Sequence, residues 1–266
     1  PHCRRQRQMC IRDSNSGSIN ISIGQNSGAQ SGNSTGSGNI SIGKVGQCIS
    51  SGSANIAIGC GVNMSTGNVT GDSNISIGPY AGRRLTSGGY NTFIGSSAGR
   101  YTTSGSRNQF IGISAGSQNQ IGCENTAIGC AAGSRATSGN HNTSIGRAAG
   151  FGNCTGHGNV AVGHSAGYGN RGSNNISIGA TAGPADSCTD NVDNILIGRQ
   201  VGSSLTSGCS NIFMGVCAGV NAGTATSAIV IGNCAGKCFS PSLNQNGSGY
   251  GNIFVGEYAG KCVTTG

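Results

Sequence analysis

Asn74-Ile75-Ser76-Ile77-Gly78-Pro79-Tyr80-Ala81-Gly82-Arg83-Arg84-Leu85-Thr86-Ser87-Gly88-Gly89-Tyr90 is followed at once by Asn91-Thr92-Phe93-Ile94-Gly95-Ser96-Ser97-Ala98-Gly99-Arg100-Tyr101-Thr102-Thr103-Ser104-Gly105-Ser106-Arg107. The two stretches are one 17-residue unit, N-[IT]-x-I-G-x-x-A-G-x-x-x-T-S-G-x-x, written twice. Its opening recurs at Asn20, Asn39, Asn55, Asn74, Asn91, Asn108, Asn125, Asn142, Asn159, Asn175, Asn194, Asn211 and Asn252, with Ala228 standing in once. Spacings are mostly 17 residues and otherwise 16, 19 or 24, with insertions such as 184–193 and 239–251 falling between the Ala-Gly step and the next Asn. A repeat that absorbs extra length at one place has a loop there. Self-similarity at so short a period marks a solenoid, in which each unit contacts only its neighbours.

Each unit can be decoded locally. Three residues such as Ile75-Ser76-Ile77 make a short strand whose first and third side chains share a face. Gly78 follows where the chain must turn, and the leading Asn suits a turn because its amide bonds nearby backbone. Further corners come at Ala81-Gly82 and at Thr86-Ser87-Gly88, and no interval between them is long enough for a helix. The expected fold is all-β: a parallel β-solenoid (β-roll) of fourteen coils, one per repeat. Ile75 and Ile77 are expected to point into the coil and Ser76 to the opposite face. The middle strand position, often Ser or Ala, is Phe93, Phe110, Leu196, Phe213, Val230 and Phe254 in other coils. Strands apolar on both faces are normally buried on both, so these six residues are the candidate interface with a partner chain.

Composition agrees with a thin stacked core. The chain has 266 residues, 51 of them Gly, no Trp, 35% apolar and only 8% charged residues. Glycine without a strict every-third period excludes collagen, and no apolar run is long enough to span a membrane, so insertion is not expected of this segment. Arg4–Ser14 resembles one reading frame of a translated sequencing-library adapter, so residues 1–14 are expected to be a disordered leader and 15–266 a single solenoid domain. The last residues, Val263-Thr264-Thr265-Gly266, stop inside a repeat, and the domain is expected to be truncated at both ends. Setting aside four leader arginines and Asp13 leaves +5 of the formal +8 charge. The remaining basic residues fall one or two per repeat, without the dense stripe that nucleic-acid binding needs, so no nucleic-acid partner is expected.

The N-x-x-I-G-x-x-A-G-x-x-x-T-S-G unit resembles the head and stalk repeats of trimeric autotransporter adhesins. It is similar also to tandem repeats of phage-type tail-fibre proteins that carry a C-terminal endosialidase-type chaperone domain. The resemblance covers about residues 20–262 and implies a left-handed parallel β-roll that forms a homotrimer and projects from a cell or virion surface. This repeat is longer than the usual adhesin-head repeat, and its cysteines are unusual for either group. The expected function is therefore structural and adhesive, a non-catalytic segment of an extracellular or virion fibre with multivalent attachment to a cell-surface or glycan receptor. The alternative is an ice- or crystal-surface-binding solenoid, for which the Thr-Ser corner offers a partial ladder.

Candidate chemistry is sparse. Cys217 and Cys234 occupy one repeat position 17 residues apart, and Cys238 and Cys262 each follow Ala-Gly-Lys, so these four are candidate disulfide partners in stacked coils. Cys234-x-x-x-Cys238 lacks a second ligand pair for zinc. His141, His157 and His164 read as solvated turn residues without a carboxylate partner, and Asp186, Asp190 and Asp193 as a solvated acidic loop. No nucleophile–base–orienter set and no paired carboxylates fall in one coil, so no catalytic residue, cofactor or metal is expected.

Overall fold

The computed structural model describes residues 9–10, 17, 19–24, 35–44, 51–62, 69–184, 190–238 and 251–263. The rest of the 1–14 leader, residues 185–189 with Asp186, and residues 239–250 lie outside the described residues. The chain divides into two compact units, Pro1–Cys123 and Glu124–Gly266. In the first, β1 (Met9–Cys10) pairs antiparallel with β2 (Ile21–Ile23). There follow β3 (Ile40–Ile42), β4 (Ile56–Ile58), β5 (Ile75–Ile77), β6 (Thr92–Ile94) and β7 (Gln109–Ile111), each stacked in parallel on the one before. The second holds β8 (Thr126–Ile128), β9 (Thr143–Ile145), β10 (Val160–Val162), β11 (Ile176–Ile178), β12 (Ile195–Ile197), β13 (Ile212–Met214), β14 (Ile229–Ile231) and β15 (Ile253–Val255), parallel throughout. Each unit is a parallel β-solenoid, one strand per repeat and no slip of register: Ile75, Ser76 and Ile77 lie opposite Thr92, Phe93 and Ile94.

The face assignment differs from the expectation. Ser76 is fully buried, and Ile75 and Ile77 lie on the outer face, half-buried. The middle residue points inward in every coil of β3–β14, so Phe93, Phe110, Leu196, Phe213 and Val230 are core. Period two was right; the choice of side was not. The cause is the Ala-Gly corner, which folds back over the middle residue and leaves room for one strand side chain. A Cβ added to Gly99 would stand 2.6 Å from the Phe93 ring, and one on Gly116 2.4 Å from the Phe110 ring. The corner alanines Ala81, Ala98 and Ala115 complete the interior with no exposed surface.

The repeat-opening Asn is also an interior residue. The left-handed residue is the one before it: Ser73, Tyr90 and Arg107 have φ of 57°, 60° and 57°. Asn91 is buried; its Nδ2 donates to the Gly105 carbonyl of its own coil at 2.9 Å and to the Asn74 Oδ1 at 3.0 Å. Its own Oδ1 accepts the backbone N–H of Asn108 at 3.0 Å. Repeated coil after coil, this ladder pins the strand entry to the Thr-Ser-Gly corner and satisfies buried backbone that no strand partner reaches.

Candidate functional site

With the middle residues inside, the outer face of each unit's strand ladder carries two columns of side chains. One column, the third strand position, is apolar throughout: Ile23, Ile42, Ile58, Ile77, Ile94 and Ile111 in the first unit, then Ile128 to Val255 in the second. The other is Ile or Val except at Thr92, Gln109, Thr126 and Thr143. Ile94, Ile128, Ile145 and Ile178 keep 37–38% of their surface exposed even though neighbours above and below cover their flanks. A contiguous apolar strip of this kind is what soluble surfaces normally avoid.

Five of the six residues read from sequence as an interface lie inside the coil instead. Phe93 and Phe110 stack on one another inside the coil, with centroids 5.4 Å apart and planes at 17°. Leu196, Phe213 and Val230 belong to one buried cluster with Val201 and Leu205, against which Phe254 of the last coil packs. None of the first five can meet another chain without opening the coil, and in coils where they are replaced by Ser or Ala the third-position column stays apolar. The signal for the inward position was in the repeat: the third strand position stays aliphatic or Met while the middle residue ranges in size from Ser to Phe.

Cys217, Cys234, Cys238 and Cys262 do occupy matched corners, with φ of 54°, 53°, 62° and 60°, but all four are free thiols. Three of the sulfurs turn to different neighbours. Cys217 Sγ faces Gln200 Oε1 at 3.6 Å, Cys234 Sγ faces Asn233 Oδ1 at 3.6 Å, and Asn221 Nδ2 donates to Cys238 Sγ at 3.9 Å. The reading of partnerless histidines is likewise corrected for His141, whose Nδ1 lies 3.1 Å from Glu124 Oε2 on the surface. His157 Nδ1 accepts from the Asn140 N–H, and His164 Nε2 lies 2.9 Å from Arg147 Nη1. Among the described residues no three His, Cys, Asp or Glu side chains come together as a metal site, and no helix is long and apolar enough to cross a membrane.

The Thr-Ser corner is built into the fold. Thr86, Thr103, Thr137 and Thr206 each donate the side-chain hydroxyl to a carbonyl of the following coil at 2.9–3.2 Å. These hydroxyls close the stack from coil to coil.

The corner after Ala-Gly concentrates cations and rings. Arg83 lies 5.5 Å from the Tyr80 ring, Arg100 lies 5.6 Å from Tyr80 and 5.2 Å from Tyr101, and Arg84 lies 4.8 Å from Tyr101. At the same corner in the second unit Phe151 and Tyr168 stack at 5.1 Å, with Arg135 at 5.0 Å over Phe151. Comparison with protein-family models, curated proteins and solved structures gives no match.

Proposed function

We propose that the chain is a structural and adhesive segment of an extracellular or virion fibre, non-catalytic, which joins copies of itself through the outward Ile columns and attaches to surfaces through its corners. The observation that carries this is the outer strand face, where the third-position column is apolar in every coil, the first-position column is aliphatic in all but four, and Ile94, Ile128, Ile145 and Ile178 stay more than a third exposed among the described residues. Burying such a strip is worth about 25 cal/mol for each Å² removed from water, and a gain repeated in every coil lets many weak contacts add along the stack. A three-fold, parallel arrangement follows from the resemblance of the repeat to adhesin heads. Sedimentation equilibrium on the chain tests the reading. A trimer is expected, and Ile128→Asp/Ile178→Asp should release monomers that keep the parent's circular dichroism, because both changes lie on the outer face. A parent chain that is folded and monomeric at micromolar concentration would sink it.

A second reading, an ice- or crystal-surface binder, draws on the regular outward columns themselves, where Thr126 and Thr143 are cross-strand neighbours. It predicts measurable thermal hysteresis, which the fibre reading does not.

A further inference from the structure

We propose that the corner after Ala81-Gly82 and Ala98-Gly99 is a docking site for the sulfate or carboxylate groups of an anionic saccharide, held by the guanidinium edges of Arg83, Arg84 and Arg100. This rests on the reading of the corners as attachment points and supplies their chemistry. In sequence Arg83 and Arg84 are neighbours, and Arg100 lies about one repeat further on. Stacking removes that separation: the Arg84 N–H donates to the Arg100 carbonyl at 3.0 Å, so the two backbones are direct neighbours. Three cations are thereby gathered on two successive coils.

The rings explain how three like charges are held there. Guanidinium and phenol alternate as Arg83, Tyr80, Arg100, Tyr101 and Arg84, at 4.8–5.6 Å per step. A guanidinium over a ring is stabilised through its face and keeps its N–H edge free to donate in plane, the geometry that carboxylates and sulfates accept bidentately. Among the described residues the three groups make ring contacts and no ion pair. The buried Nε of Arg100 has no acceptor. Nor does a described carboxylate of the first unit neutralise them. Residues 1–123 contain only Asp13 and Asp72, and Asp72 Oδ1 is taken by the Ser53 N–H at 2.7 Å, at the Thr-Ser-Gly corner.

The geometry selects among anions. One small oxyanion cannot reach three guanidinium groups separated by rings, whereas a saccharide with charged groups on successive sugars can. Single-stranded nucleic acid needs open aromatic faces on which bases stack. Here the tyrosine rings are already paired with guanidinium, and the next coil offers Ser117 and Gln118 instead of further cations.

Titration calorimetry of the full chain with a heparin hexasaccharide tests this, with a non-sulfated uronate hexasaccharide, neutral dextran, a single-stranded oligonucleotide and inorganic sulfate as the other arms. Expected are saccharide binding that weakens with salt, no dextran binding, and a loss of about tenfold or more in Arg84→Gln/Arg100→Gln, the scale of losing two charge-assisted contacts. The sulfated and uronate arms separate sulfate from carboxylate recognition. Arg171→Gln/Arg199→Gln, equal in charge change, should bind like the parent. Tyr101→Leu keeps all three cations and should still weaken binding, which mere net charge would not. Equal loss in both arginine pairs, tighter binding of the oligonucleotide, or binding of sulfate only as an adventitious ion would overturn the site. Binding per chain that persists in Ile128→Asp/Ile178→Asp leaves the site standing whatever becomes of assembly. Assembly without any saccharide binding removes the site alone.

Discussion

Phe110→Ala and Ile111→Ser, one residue apart, separate the inside of the coil from its outside. Phe110 is 2% exposed, lies against Gly116 and stacks on Phe93; Ile111 is 36% exposed on the opposite face. Removing the ring leaves a cavity that the backbone cannot close, because parallel partners fix the strand above and the corner is already held to its neighbour. Phe→Ala in such a setting costs about 3–5 kcal/mol, and the lost ring pair places it near 4 kcal/mol on the scale of about 0.5–1.5 kcal/mol for aromatic stacking. Ile111 surrenders only partial burial, so about 1 kcal/mol is expected from Ile111→Ser when assembly is disabled by Ile128→Asp/Ile178→Asp. Solenoids open locally, so the assay is native-state exchange of the Gly112 amide, which donates to the Ile94 carbonyl at 2.8 Å. A 4 kcal/mol loss lowers its protection by nearly a thousandfold, since each 1.4 kcal/mol is about tenfold. Equal effects from the two substitutions, or a larger one from Ile111→Ser, would refute the inward assignment of the middle residue.

Asn91→Ala removes the acceptor of the Asn108 N–H and the donor to the Gly105 carbonyl, leaving buried groups unpaired; a loss of about 2–4 kcal/mol is expected in urea unfolding. Ser76→Ala should act in the other direction, raising stability by about 1 kcal/mol in the same assay, because the buried Ser76 hydroxyl has no partner. Gly88→Ala would put a Cβ 2.2 Å from the Gly105 carbonyl oxygen, so the corner must shift; a loss of about 1–3 kcal/mol and lower protection of the Gly88 amide are expected.

What the sequence makes legible here is whatever depends on period. Repeat boundaries, strand positions, corners and the absence of helix among the described residues follow from where Asn, Gly and Ala-Gly recur, and the register of Ile75–Ile77 on Thr92–Ile94 follows from equal spacing alone. What depends on side is not legible that way. Alternation states that Ile75 and Ile77 share a face, but two aliphatics outweigh one serine in any count of hydrophobicity, and the count points inward. The interior answers to volume instead: the Ala-Gly corner leaves space for a single strand side chain, which is why that position ranges from Ser76 to Phe93 while the larger pair stays outside. The Asn ladder was hidden for a related reason. An asparagine beside a turn is ordinarily a surface residue, and only stacking shows that its amide reaches the coils on either side. Proximity between coils was hidden most of all. Arg84 and Arg100 are sixteen residues apart in the chain and adjacent in the stack. A charge that looks scattered when read along the sequence becomes a patch when read across it, so in a solenoid the distribution of cations has to be judged column by column.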